Sequence, residues 1–457
     1  MLKSARGSWI MTKRLVSHQG PNHALSPMRC PHQASDVDLF GEGAQEHWYE
    51  AYPLLHDAQP VTRIAGEGIT PGSDGYLLTK YEDIARVVKD PERFPPRLHQ
   101  AIEQIQSAEA KGKAVPGVNA MLASMVTLRP NHALYRSHRQ ELTDPWVGPG
   151  ASRHTEMIKD CANRLIDRFE GRTVIDFVQD FARPLPQMVM ANMLGFPEAD
   201  IPKLAEWGNA QVAAFVYGKG HRNILSEAET TAQFSLLDEF KAYVSEHVSE
   251  KRARPKDDMI SWLTQVHYQA LDRKLTDLEV NGVVYAMIIG GLETTQYALE
   301  EAAQLLCDQP ALWDTLKNDK SLIRNFVEET MRLRSPTQGL STRVTRDDEV
   351  FQGVNVPAGS LLHLRFGAAN VDPEEWDEPF TLNLHRPAVT RHLVFSAGPR
   401  VCPGAGISRL EQNLAWDLLL ARLPGLQYAP GNTLLHQPGI MLGTLELKVD
   451  ISGKPPA

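Results

Sequence analysis

The sequence predicts a mainly α-helical protein with a smaller β portion. Three observations lead there. In "SRHTEMIKDCANRLIDRFEG", Met157, Cys161, Leu165 and Phe169 recur at helical spacing and the pattern stops at Gly171. "TAQFSLLDEFKAYVSEHVSEKR" is amphipathic in the same way. Short β-branched runs gather late, in "STRVTRDDEVFQGVNVPAGSLLHLRF" and again near Leu445 to Ile451, separated by an Asp pair, Gly353 and a Pro-Ala-Gly turn.

The bulk numbers bound the class. A chain of 457 residues, 42% hydrophobic and 23% charged, buries a large core. A net charge of -9 disfavours nucleic acid and anionic membranes as partners. Cys30, Cys161, Cys307 and Cys402 show no CxxC or Cys/His zinc spacing, which reads as a reducing compartment, with a cytoplasmic location expected. No apolar run reaches the roughly 18 residues of a membrane span. Residues 1–35 hold Lys3, Arg6, Lys13, Arg14 and Arg29 and no acid. They read as a flexible extension, with a targeting segment as the alternative and Met11 as a second candidate start. Cys30 and His32 in this Pro-rich stretch are read as no metal site. No linker interrupts the chain after residue 36, so residues 36–457 are expected to form a single domain.

The clearest element is "TDLEVNGVVYAMIIGGLETTQYALEEAAQLLCDQP". Thr276 and Glu279 form a capping-box signature, Pro310 ends the run, and the spacing predicts one helix of about 33 residues. Its centre is apolar on nearly every side, yet it contains Gly290-Gly291-Leu292-Glu293-Thr294-Thr295. Two adjacent glycines cost roughly 2 kcal/mol relative to Ala. One reading is a kink for close packing. The other is a groove where a ligand meets the backbone, Thr294 bonds an oxygen species and Glu293 brings protons.

Two further patterns carry charge. Glu329 and Arg332 share a face beside Phe326 and Met331, as a surface ion pair or as a buried clasp completed by Arg386. His132 and Arg136, four apart on a helix after Pro130, suit carboxylates or form a solvated basic face.

"LVFSAGPRVCPGAGISRLE" places Cys402 ahead of Pro403 and a helical pattern. Proline suits the first helical position, so Cys402 is expected at or next to the N-cap, where helix amides lower a thiol's pKa. Gly398 and Gly404 admit something large and flat, Phe395 can lie beside it, and Arg400 is expected to bring positive charge near the sulfur. This set fits haem ligation by cysteine.

The run Phe395 to Arg409 resembles the haem-binding signature of the cytochrome P-450 family, with Ser396 where glycine is usual. Gly290 to Thr295 resembles the family's oxygen-activating groove. Glu329 and Arg332, with Arg386, resemble its Glu-x-x-Arg clasp. His132, Arg136 and Arg343 match haem-propionate ligands. The resemblance implies the family's α-rich prism, with haem b between the long central helix and the Cys-bearing helix. Cys402 would be the proximal iron ligand, with Phe395, Arg400 and Gly404 against the cofactor. Glu293 and Thr294 would serve catalysis, and Ala286, Ile289, Gly290, Thr337, Ile440 and Met441 would line an apolar pocket. The access segments would be 120–127 and 210–221. The implied reaction inserts one atom of O2 into an apolar small molecule. Electrons would come from NAD(P)H through a separate ferredoxin and ferredoxin reductase, with Arg139 and Arg400 on the docking face. The alternatives are a peroxide-driven peroxygenase and a non-catalytic haem-thiolate sensor or carrier.

Overall fold

Thr276 opens the apolar central helix with both halves of a capping box. Its hydroxyl accepts from the Glu279 amide at 3.3 Å, and its own amide donates to the Glu279 carboxylate at 2.8 Å. The computed structural model describes residues 30–41, 43–68, 72–97, 132–216, 226–339, 342–437 and 439–453. Within them the single long helix expected from the pattern is corrected to two helices, Asp277–Gly291 and Thr294–Asp308. The reason is local. Two glycines weaken the ladder, and Thr294 Oγ1 donates to the Gly290 carbonyl at 2.8 Å, the acceptor its own amide would take in an unbroken helix. Gly291 is also required by packing, since a Cβ there would lie 2.6 Å from Met190 Sδ.

The main core gathers around this broken pair. Helices Thr155–Asp167, Pro184–Leu194, Glu227–Ala253, Ile323–Arg334 and Ala405–Arg422 turn their apolar faces to it. Trp416 is fully buried at its centre, stacked on Phe177 with centroids 5.9 Å apart and met edge-on by Phe326.

The late strands do not stand alone. Thr342–Val344 and Leu361–Leu364 join Val61–Ile64 and Gly75–Leu78 in a four-stranded sheet. Only the Gly75–Leu78/Leu361–Leu364 pair is parallel. Glu349–Phe351 and Val354–Val356 form a separate hairpin, turned by Gln352 at φ 48 and Gly353 at φ 77, as a two-residue turn with both residues left-handed requires. Lys448–Asp450 lies between Gln427–Tyr428 and Val174–Asp176. A last irregular hairpin, 434–445, is bridged at His436 and Thr444, and its tip pairs with the segment 336–338 through a Thr337–Met441 bridge.

One buried charge cluster fastens the helix Ile323–Arg334 to the irregular chain that leads into the Cys402 loop. Arg332 grips Glu329 with two bonds of 2.8 and 2.9 Å, and Arg386 Nε adds a third at 2.8 Å. The amide of Asn383 donates to the same carboxylate at 3.0 Å. Remaining guanidinium donors end on the carbonyls of Asn370, Pro379, Asp377 and Thr381. Glu329 and Arg332 have no exposed side-chain surface. Truncating the carboxylate would leave two buried cations facing each other. Glu329→Ala is therefore expected to lose about 3–5 kcal/mol of stability. Denaturant unfolding checks this, with haem content in parallel; an unfolding curve that overlays the parent's refutes it.

Candidate active site

The loop from Phe395 to Gly404 turns back on itself, and the Cys402 amide closes it by donating to the Phe395 carbonyl at 2.8 Å. Gly398 adopts φ 70 and packs so tightly that a Cβ would sit 2.8 Å from Lys89 Cα. Ser396 adopts φ 60, a left-handed conformation that glycine takes without cost, and its hydroxyl oxygen is buried with no partner among the described residues. The helix begins at Ala405 with Gly404 as its cap, so Cys402 lies two residues ahead of the cap and not on it. The backbone explains the shift: Pro403 and Gly404 form a turn, and the Ala405 amide reaches back to the Cys402 carbonyl at 3.4 Å.

The sulfur's electrostatics also differ from the sequence expectation. Burial pushes the Cys402 thiol up from its ordinary pKa, while the Gly404 and Ala405 amides and the charges of Arg139 and Arg409 pull it down without overcoming burial. The nearby cations are thus Arg139 and Arg409, not Arg400. Arg139 donates to the Val401 carbonyl at 2.5 Å and pairs with Asp144. Arg409 lies over the Phe395 ring at 4.5 Å and is held by Glu328. Arg400 turns to the Tyr135 ring at 4.7 Å. Arg139 and Arg400 thus both carry contacts within the chain, and Arg400 remains half-exposed.

The broken helix and the Cys loop are tied at matching ends. Thr295, the second residue of its helix, donates to Ser408 of the Cys-bearing helix at 2.9 Å in a buried bond. Gln412 also donates to that Ser408 hydroxyl, at 3.2 Å. Next to this tie, Gly290 is exposed just beyond residues 280–288, which are buried except for the half-buried Ala286, and a Cβ on Gly290 would meet nothing within 4 Å. Ala286, Ile289 and Thr294 are partly exposed on the same stretch. Thr337, Ile440 and Met441 lie beside it: Thr337 bridges to Met441, and Ile440 and Met441 pack with Ile289 and Tyr297. Glu293 does not pair with Thr294. Its carboxylate accepts from the Tyr297 hydroxyl at 2.8 Å, and burial raises its pKa against the opposing pull of Tyr297 and Arg183.

Cations collect beside the Cys loop. Arg343 is 6% exposed, its Nε has no partner among the described residues, and burial together with Arg400 lowers its pKa to about 10. Pro96 bridges to Arg343, which brings the half-buried Arg97 alongside. Arg136 stands exposed on the helix His132–His138; the side chain of His132 and the access segment 120–127 lie outside the described residues, as do residues 217–221 and the side chains of 212–216 in the segment 210–221. Cys30 approaches His47 and Glu50, not His32. The sequence reading missed Arg97, whose only signal is a lone Arg after a Pro pair, and Tyr297, visible as an aromatic one helical turn beyond Glu293.

These features fit haem. A buried guanidinium nitrogen lacks an acceptor. A Cβ on Gly404 would meet nothing nearer than the Cys402 sulfur and Ile407 at 3.9 Å, which leaves the loop open to a flat group. The strain at Ser396 is testable. Ser396→Gly is expected to raise stability by about 1 kcal/mol through relief of the left-handed backbone, and Ser396→Ala to give no such gain. Paired denaturant curves decide; equal midpoints for the Gly and Ala variants count against backbone strain.

Comparison with known proteins agrees with this geometry. A family model described as cytochrome P450 matches residues 122–424. The polyketide biosynthesis cytochrome P450 PksS of Bacillus subtilis (strain 168) is 27% identical over 399 residues, covering 86% of this chain and 93% of the relative. Its solved structure superposes with a TM-score of 0.76 at 25% identity, covering 91% of this chain and 100% of that one. Cytochrome P450(MEG) of Priestia megaterium is 29% identical over 360 residues, covering 79% and 84%. P450BioI, in complex with acyl carrier protein ligated to hexadec-9Z-enoic acid, superposes with a TM-score of 0.75 at 25% identity, covering 89% and 99%. Among the described residues, no helix is long and apolar enough to cross a membrane. The chain belongs to the cytochrome P450 family, and is a P450 monooxygenase with a haem-thiolate cofactor.

Proposed function

We propose that this P450 holds haem b through Cys402 and inserts one atom of O2 into an apolar small organic substrate. Electrons come from NAD(P)H by way of a separate ferredoxin and its reductase. The observation that carries this reading is the juxtaposition at the Thr295–Ser408 tie. A thiol faced by the Gly404 and Ala405 amides lies at one helix end, and a glycine-opened face with Glu293 and Thr294 lies at the other. The apolar acyl chain in the complex of P450BioI is chemically of the class proposed here.

When bound, haem supplies the redox chemistry and oxygen transfer, tuned by its thiolate ligand. The chain's own residues position it. Cys402 would bind the iron, with the Gly404 and Ala405 amides steadying the sulfur. Arg343, Arg400, Arg136, His132 and Arg97 would meet the propionates. Ala286, Ile289, Thr337, Ile440 and Met441 would exclude water and favour hydrocarbon. Thr294 spends its hydroxyl proton on the Gly290 carbonyl, so its oxygen is left to accept a bond from a group on the open side. Glu293, with its pKa raised by burial, would carry a proton to that place. This carboxyl–hydroxyl set supports the O2-dependent route over peroxide use and over a sensor or carrier without turnover.

Two experiments test the reading. Cys402→Ala should abolish the thiolate-type Soret band of the reduced carbon monoxide complex; persistence of that band refutes the ligand. Gly291 against Met190 and the Thr295–Ser408 bond still hold the helix break without this hydroxyl, so Thr294→Ala should keep fold, haem and ligand-induced spectral shifts, yet divert NAD(P)H consumption from product to hydrogen peroxide. Glu293→Gln should slow oxygen turnover. Full coupling in Thr294→Ala, read as product formed per NAD(P)H oxidised, excludes the hydroxyl from proton delivery.

A further inference from the structure

The acid at the helix break is held from a distant part of the chain. Glu293 accepts from the Tyr297 hydroxyl at 2.8 Å, and the same hydroxyl oxygen accepts from Gln437 Nε2 at 2.8 Å. Tyr297 is 4% exposed, and its ring packs with Ile440 and Met441 alongside Phe40 and Ile289. Gly443 presses on that ring, since a Cβ there would lie 2.5 Å from Tyr297 Cε1. Gln437, Ile440, Met441 and Gly443 all belong to the hairpin 434–445, closed where the Gln437 amide donates to the Gly443 carbonyl at 2.8 Å. The hairpin is pinned at its base by His436, fully buried and 3.0 Å from both Glu46 and Glu301.

We propose that Gln437 and Tyr297 are positioning residues for Glu293, and that through them the acid's seat depends on the hairpin that carries Ile440 and Met441. The proposal rests on the role given above to Glu293. Its logic is the direction of one proton. A phenol has a single O–H, and Gln437 occupies a lone pair of the Tyr297 oxygen, so the proton is directed at the carboxylate. The groups facing Glu293 are the Tyr297 hydroxyl on its own helix and Arg183, ahead of the helix Pro184–Leu194. Glu300 acts on Tyr297 from the next turn, and is itself held by Gln296 and the Thr444 amide. A ligand that moves Ile440 or Met441 therefore moves the ring that orients the acid.

The sign of the effect follows. The Tyr297 bond stabilises the Glu293 carboxylate, so removing it raises the pKa further. The test is infrared difference spectroscopy of the holoprotein over a pH titration, reading the protonated-carboxyl stretch that Glu293→Gln deletes. Tyr297→Phe should move its midpoint up by about 1 pH unit, the worth of one hydrogen bond to a charged group. Gln437→Leu and Gly443→Ala should move it the same way by less, although neither residue touches Glu293. A merely structural role would change unfolding midpoints and leave this titration in place. An unmoved midpoint in both Tyr297→Phe and Gln437→Leu overturns the proposal, as does a titration with no band lost in Glu293→Gln. Should the midpoints shift while Glu293→Gln turns over oxygen as fast as the parent, the positioning stands and the proton-delivery role of Glu293 falls.

Discussion

The break in the central helix is the constraint on which the site depends. An unbroken helix would satisfy the Gly290 carbonyl with the Thr294 amide and turn both residues into ordinary core. Here the Thr294 hydroxyl takes that carbonyl instead, and the helix restarts one turn further on. The restart has two consequences. It opens the face around Gly290, and it sets Thr295 at a helix start where it bonds Ser408. The open face and the Cys402 loop are thereby fixed to each other through one buried hydroxyl pair, without any contact between Thr294 and the loop being needed.

Buried charge is handled in two opposite ways, and the contrast separates scaffold from site. Glu329 receives Arg332, Arg386 and a backbone amide, and the spare guanidinium donors end on carbonyls. The carboxylate and the guanidinium donors there find their partners within the protein, so the cluster holds the chain leading to the Cys loop in one place. Arg343 is the reverse: buried, short of an acceptor at Nε, next to another cation and pushed down in pKa. A protein would gain nothing by such crowding on its own. An anionic partner removes the penalty, which is the physical argument that carboxylates belong there.

How much of this was readable in the chain follows from the range of each interaction. The Cys402 loop and the Gly290–Thr295 stretch are local, so residue types and spacing carry them. Helix periodicity located the long elements but not the break, because the apolar pattern continues through Gly290–Glu293 while the hydrogen bonding does not. Strands of three or four residues such as Val61–Ile64 and Val174–Asp176 are too short to show a period; Val174–Asp176 forms against the late strand Lys448–Asp450, and Val61–Ile64 reaches the late strands only through Gly75–Leu78. The expected cation at the sulfur failed for a related reason. Arg400 is two residues from Cys402, but its guanidinium reaches Tyr135, and the charges that act on the sulfur come from residues 139 and 409. The Gln437–Tyr297 bond joins residues 140 apart, a relation that no local pattern encodes.

The C-terminal hairpin shows how a short irregular segment can be as firmly seated as a helix. His436 lies between two carboxylates; burial alone would lower its pKa, yet the hydrogen bonds to Glu301 and Glu46 raise it to about 9. The imidazolium is therefore the form present at neutral pH, and it links the N-terminal segment, the helix Thr294–Asp308 and the hairpin in one charged contact. Because the folded-state pKa exceeds the ordinary value near 6.5, this stabilisation is complete below about pH 6.5 and fades as pH rises through about 9. Over that lower range the hairpin base is fixed. Its tip, where Ile440 and Met441 lie, packs against the ring of Tyr297 and is hydrogen-bonded to the segment 336–338. The charge that anchors the hairpin base thus holds one end of the segment whose other end packs on the ring that bonds Glu293.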